Sequence, residues 1–249
     1  MIPFLLALQF LTIIPVRIKE ISGQKIAASM AYFPLVGLFL GMILTGVNLV
    51  LSYLGFPYLA LNVILVVVLI IITGGMHLDG LSDTADAFLS GKPREEMLNI
   101  MRDSHVGVMG VLSLISIILL KIVLLFSIGG FSRVNAIILM CIVSRWSVVL
   151  IMFFFPYARQ EGKAGLFIRG MNLKIFILST IVAITCAFVI WDIKGLIVLL
   201  IAAIFAWIIG KFVSRKIGGI TGDTLGATIE LTEVVTLLIV CIGQGIIYG

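Results

Sequence analysis

The stretch Leu59-Ala60-Leu61-Asn62-Val63-Ile64-Leu65-Val66-Val67-Val68-Leu69-Ile70-Ile71-Ile72-Thr73-Gly74-Gly75-Met76 carries no charge. As a helix it approaches the roughly 20 apolar residues needed to cross the hydrocarbon of a bilayer. Six more stretches read the same way: 33–54, 106–128, 134–155, 175–191, 195–213 and 231–248. Composition agrees. Of 249 residues, 61% are hydrophobic and 12% charged, against about 25% charged in soluble domains. A water-soluble fold of this size could not hide so much apolar surface. The expected fold is an all-α polytopic membrane protein with about seven transmembrane helices, residues 1–249 forming a single integral membrane domain. The opening segment 1–16 is apolar but short and ends at Pro15. An eighth span, a re-entrant piece and an interfacial helix all remain open for it. Its lack of a basic n-region and of a small-residue cleavage site argues that it is retained rather than removed as a signal peptide.

The charges set an orientation. Seven spans leave the loops 17–32, 77–105, 156–174 and 211–230 on one side, with thirteen Lys and Arg, while the turns 55–58, 129–133 and 192–194 hold only Arg133 and Lys194. The positive-inside rule then puts the long loops in the cytoplasm. The same loops explain the net charge of +5, and no basic run or aromatic platform points to nucleic acid. Lys121 and Arg145 are left inside spans. Cys141, Cys186 and Cys241 lie in apolar stretches at wide spacing, so no disulfide frame or thiolate metal site is expected. There is no internal repeat.

Half of the twelve acidic residues gather in two clusters. The first follows the quoted span: His77-Leu78-Asp79-Gly80-Leu81-Ser82-Asp83-Thr84-Ala85-Asp86. Asp79, Asp83 and Asp86, spaced i, i+4, i+7, share an arc of about 60° on a helix. Like charges at that spacing repel, and no Lys or Arg lies between residues 26 and 91 to offset them. A bound cation would, and carboxylate oxygens suit Mg²⁺ or Ca²⁺. His77 points about 160° away from Asp79 on a regular helix, so it joins the acid face only if the neighbouring glycines break regularity. The second cluster, Gly218 to Glu233, leads into the last span. Asp223, Glu230 and Glu233 would lie within about 80° on a continuous helix, and Thr221 and Thr224 add hydroxyls. A third polar patch, Arg102-Asp103-Ser104-His105, opens the third span on the same side. Arg145, buried mid-span, calls for a partner, with a structural carboxylate and a substrate phosphate equally open. Gly37, Gly41 and Gly46 are read as helix-packing positions.

Carboxylates holding Mg²⁺ at a membrane surface suit phosphoryl transfer, since the metal neutralises developing charge and orients a hydroxyl. Arg102, Arg145, Arg159 and Arg169 offer forks for phosphate. The residues alone lead to a membrane enzyme that transfers a phosphate-linked group.

The string Gly74 to Ala87 resembles the signature of the cobalamin synthase (adenosylcobinamide-GDP ribazoletransferase) family. Phe10 to Val16, Met101 to Gly110, Phe155 to Arg159 and Gly218 to Ala227 are similar to further stretches of it, in order along nearly the whole chain. His105 departs from the pattern, where Arg or Lys is expected. The resemblance implies a Mg²⁺-dependent enzyme in the cytoplasmic membrane of prokaryotes. Its substrates would be adenosylcobinamide-GDP and α-ribazole or its 5′-phosphate, and its products adenosylcobalamin (or its 5′-phosphate) and GMP. On this expectation Asp79, Asp83, Asp86 and Asp223 are metal ligands, and Asp83 or His77 accepts the hydroxyl proton. Arg102, Asp103, Arg145, Arg159, Thr221 and Glu230 would contact substrate. Self-association stays open.

A CDP-alcohol phosphatidyltransferase also uses spaced aspartates, but Asp79-Gly80 lacks the following Ala-Arg of that pattern. A cation transporter would place acids mid-span and show paired broken helices, whereas most acids here are expected at a boundary. A purely structural membrane subunit is the weakest alternative.

Overall fold

The long helices follow apolar runs that end near glycine, proline or polar residues. The chain, seen in a computed structural model that describes residues 2–16, 22–159 and 162–248, is helical almost throughout. The elements are α1 (Ile2–Leu11), α2 (Gly23–Ser29), a 3₁₀ turn (Met30–Tyr32), α3 (Phe33–Tyr53), α4 (Tyr58–Thr73), α5 (Met76–Leu89) and α6 (Arg94–Ile100), followed by α7 (Val108–Ser127), α8 (Gly130–Phe154), α9 (Lys163–Arg169), α10 (Leu173–Ile217) and α11 (Gly222–Tyr248). Arg17 and Lys19 of the charge count lie outside the described residues.

Among the described residues, five helices are long and apolar enough to cross a membrane, and α4 with α5 would make a sixth span bent by 91°. The bend sits at Gly74 and Gly75, whose φ angles of +64° and +69° are left-handed and cost glycine little. It ends α4 and turns α5 across the end of the bundle. α10 counts once by length, yet Trp191 and Asp192 have non-helical backbone angles. A Cβ on Gly195 would strike the carbonyl of Ala187, two positions that stand about 12 Å apart in a straight helix. The two arms of α10 therefore fold back on one another as separate passes. With α3, α7, α8 and α11 they make six passes among the described residues, and the bent α4–α5 pair, counted as one span, makes the seventh expected from the sequence. α1 is ten residues, about 15 Å of helix, too short for an eighth. It packs against α2 and α3, and the segment after it is tied to the end of α4, where Ile13 N–H donates to the Ile72 carbonyl at 2.9 Å.

α8 is the central helix, with 89% of its apolar window buried. In lipid there is little hydrophobic drive between helices, so close backbone approach matters. Gly37 and Gly41 on α3 meet the α8 backbone at Cys141–Ile142 and Ile138, where no Cβ would fit. A Cβ on Gly46 would meet nothing within 4 Å, so Gly46 is not the packing residue that its spacing implied. At the bundle end away from α5, Arg133 is buried and donates to Asn48 Oδ1 (2.7 Å), Asn62 Oδ1 (2.6 Å) and Tyr58 Oη (2.9 Å).

Candidate active site

Two helices build the acidic surface. α5 lies against the start of α11 closely enough that a Cβ on Gly80 would sit 2.6 Å from the Asp223 carbonyl oxygen. On a regular α5, Asp79 is exposed and Asp83 half-buried on one side, while His77 is buried on the other. The glycines do not break the helix, so His77 stays off the acid face, and Asp83 is the proton-acceptor candidate that stands among carboxylates. Asp83 feels the negative charges of Asp79, Asp223 and Asp86 and the positive charge of Arg159.

Asp223 opens α11, where the helix N-terminus favours an anion. Thr221, fully buried, sets that N-terminus. Its backbone N–H donates to Thr224 Oγ1 (2.8 Å), and Thr224 N–H donates to Thr221 Oγ1 (3.2 Å), a reciprocal cap. Thr221 Oγ1 also donates to Asp223 Oδ2 at 3.3 Å. Thr221 thus orients Asp223 rather than facing a substrate. The loop after α8 is tied to the same helix: Ala158 N–H donates to Ile220 O (2.9 Å) and Ile220 N–H to Pro156 O (2.8 Å). That tie carries Arg159, whose Nη2 pairs with Asp223 Oδ2 at 2.8 Å.

Asp86 is used differently from its neighbours. Its two oxygens accept from the backbone N–H groups of Gly107 (2.7 Å) and Gly110 (2.8 Å), so it caps the N-terminus of α7. This occupation leaves Asp79 and Asp83 as the freer carboxylates, with Asp223 engaged through Oδ2 by Arg159 and Thr221. Arg102 and Asp103 are exposed at the rim. Tyr157 lies within electrostatic reach of Arg159, Asp223 and Arg102. His105 Nδ1 is 2.6 Å from Asp103 Oδ1. That carboxylate raises the pKa of the His105 imidazole, and the pair lowers that of Asp103. The histidine is thereby biased toward the cation that Arg or Lys would provide.

The second acidic cluster does not stay at the boundary. α11 is already helical from Gly222, so Glu230 and Glu233 lie about 12 and 16 Å down its axis, inside the bundle. There Glu230 pairs with Lys121 at 2.6 Å, and Glu233 pairs with both Lys121 and Arg145. Arg145 is 0% and Glu230 4% exposed. These two expected substrate contacts are instead counter-ions in a buried quartet, because a charge held in a low-dielectric interior needs an opposite one. For Arg145 the partner is the carboxylate of Glu233. Lys121, unassigned from sequence, is the residue that joins α7 to α11; its mid-span charge was the available signal. Arg94, read only as a loop charge, donates from Nε to Ile217 O at 2.7 Å and caps the end of α10.

Among the described residues no three His, Cys, Asp or Glu side chains already stand close enough to hold a metal ion. The donor set is nonetheless of hard oxygens and like charge, as a Mg²⁺ that keeps water and substrate oxygens in its shell requires.

Comparison with known proteins identifies the family. A family model described as cobalamin-5-phosphate synthase matches residues 3–241. An adenosylcobinamide-GDP ribazoletransferase of Desulforamulus reducens is 37% identical over 97% of this chain and 96% of its own length. Relatives of the same name from Klebsiella pneumoniae (strain 342) and Escherichia coli (strain K12 / DH10B) are 38% and 39% identical, over 94% and 93% of this chain and 97% and 96% of theirs. No solved structure matches. Helical passes, an acidic end surface and a full-length match lead to one assignment: the chain belongs to the cobalamin-5-phosphate synthase family.

Proposed function

We propose that this protein is an adenosylcobinamide-GDP ribazoletransferase, a membrane enzyme of cobalamin synthesis that joins adenosylcobinamide-GDP to α-ribazole or its 5′-phosphate and releases GMP. The observation that carries it is the end-to-end likeness to relatives of that name, with Asp79, Asp83, Asp223 and Arg159 drawn to one surface.

In the reaction a hydroxyl of the ribazole attacks the phosphorus that bears the cobinamide. A new O–P bond forms, the bond to GMP breaks, and the hydroxyl proton passes to a carboxylate, for which Asp83 is best placed. Arg159 and Arg102 offer guanidinium forks to the phosphate oxygens. Asp79, Asp83 and Asp223 would hold Mg²⁺ in this reading. When bound, the ion supplies neutralisation of charge on the transferred group. Asp86 supports the surface by fixing α7, and Thr221 by fixing Asp223.

The setting belongs to the same proposal: a prokaryotic cytoplasmic membrane, with the acidic surface facing the cytoplasm. Thirteen basic residues on the long loops support it. A cysteine placed at Lys92 should react with an impermeant maleimide only from the cytoplasmic side, and labelling from outside would reverse the orientation. The activity is tested by reconstituting the purified protein in liposomes with adenosylcobinamide-GDP, α-ribazole 5′-phosphate and Mg²⁺. GMP release is expected; none above protein-free liposomes would overturn the function.

A further inference from the structure

Between α2, the 3₁₀ turn, α3 and the first arm of α10 lies a groove of about 660 Å³. An apolar cavity of roughly 150 Å³ holds one benzene, so this space has room for on the order of twenty carbon atoms. Its walls follow helical spacing. Ala27, Ala31 and Leu35 stand on one side and Lys174, Leu178 and Val182 on the other, each set at i, i+4, i+8. The walls meet at one end, where a Cβ on Gly170 would sit 2.4 Å from the Ala27 Cβ. Polarity changes along the groove. Gln24 and Asn172 join Lys174 in the lining at the end where α2 and α10 begin, while the deeper lining is apolar. Among the described residues Lys174 is the one charged side chain of the lining, and it is exposed. The two arms of α10 start and finish at the end of the bundle that carries Asp223, so the polar mouth is on the same side as the acidic surface. Val182 lies about 12 Å beyond Lys174 along the helix axis. The hydrocarbon of a bilayer is about 30 Å thick, so the groove runs from its edge nearly to the midplane. It opens sideways: Leu178 is 45% exposed on a helix long and apolar enough to cross a membrane.

We infer that this groove binds a phospholipid from the leaflet on the acidic-surface side, with one acyl chain lying along Leu178 and Val182 and the phosphate paired with Lys174. The inference rests on the membrane fold and not on the proposed activity. Water would fill the space poorly, because apolar walls offer it few partners. A nucleotide or free phosphate would pair at the mouth and leave the apolar depth unfilled. A phospholipid meets each feature in turn. Its anionic phosphate suits a mouth with a cation and no acid, its chain suits a groove one leaflet deep, and the lateral opening admits it directly from the bilayer.

The test uses the full protein in liposomes that contain a phosphatidylglycerol with a diazirine at mid-chain. After illumination, mass spectrometry of the peptides locates the label. Leu35 and Leu178 should be labelled several-fold more than Leu112, Ile115 and Leu119, which form an exposed face of α7 and report ordinary contact with the bilayer. Unlabelled phosphatidylglycerol should compete with the label about fivefold better than a diacylglycerol of the same chains, the order of one cation near an anionic lipid. Lys174→Gln should remove that difference. Ala28→Phe, on the α2 wall, should fill the groove and bring its labelling down to the α7 level. Val182→Phe should do the same from the opposite wall, and melting curves show that each variant is folded. Equal labelling of the groove and of α7 in the wild type would overturn the inference, as would groove labelling that survives in both filled variants. Displacement of the label by adenosylcobinamide-GDP but not by phosphatidylglycerol would give the groove to a substrate instead. None of these readings uses GMP release. Preferred labelling in an inactive protein would keep the lipid site and defeat the function, and GMP release without preferred labelling would defeat the lipid site alone.

Discussion

Arg159 Nη2 lies 2.8 Å from Asp223 Oδ2, with the two side chains 12% and 22% exposed. A loop and the first turn of a membrane helix are thus joined by one ion pair at the acidic surface. Partial exposure keeps the pair exchangeable, since such pairs contribute little stability in themselves. Replacing Arg159 with Ala should therefore leave the fold intact and lower kcat/KM for adenosylcobinamide-GDP by about 10²-fold or more, the order found for a lost charge-stabilising donor. Arg159→Lys should restore little, because an ammonium lacks the bidentate fork. Steady-state GMP release measures both, and near-normal turnover in Arg159→Ala would remove Arg159 from the site.

Asp83 and Asp86 look alike in sequence but should respond oppositely. Asp83→Asn should abolish turnover while the detergent-solubilised protein keeps its melting temperature. Asp86→Asn keeps one good acceptor oxygen where two backbone N–H groups need partners. It should destabilise by about 1–2 kcal/mol, the range of a lost helix cap, and lower the melting temperature. Melting curves and GMP release on the two variants decide this, and a stable, inactive Asp86→Asn would return Asp86 to the metal-ligand set.

The buried quartet should tolerate loss poorly. Glu233→Gln leaves Lys121 and Arg145 with only Glu230 between them. Breaking a buried pair from one side costs roughly 3–5 kcal/mol, so expression in folded form and thermal stability should fall sharply. Glu233→Gln combined with Arg145→Met, which removes the surplus charge together with its partner, should recover much of the loss. No recovery would mean that the quartet is not governed by charge balance.

His105 should give substrate affinity a pH dependence. Asp103 holds its pKa above the ordinary histidine value. The cation is therefore present below the ordinary value and is lost as pH rises through the raised one. Affinity for the phosphate-bearing substrate should fall over that upper window, and His105→Arg should flatten the profile. An unchanged profile in His105→Arg would show that another group titrates.

Much of this protein was legible in one dimension. Seven apolar stretches and their thirteen-to-two charge asymmetry led to the passes, because a bilayer demands long apolar helices whatever their neighbours are. The arc of Asp79, Asp83 and Asp86 followed from helical period alone, since periodicity is local. What became of each charge was decided only in three dimensions. Asp86 turned to the α7 N-terminus, and Glu230 and Arg145 sank into a quartet with Lys121 and Glu233. Asp223 found Arg159, and His77 was buried on the side of α5 away from Asp79 and Asp83. The reason is that a charge's role depends on which opposite charge, backbone dipole or empty space lies within a few ångströms. Those neighbours come from α7, α8 and the loop after α8, brought together by packing that local sequence does not encode.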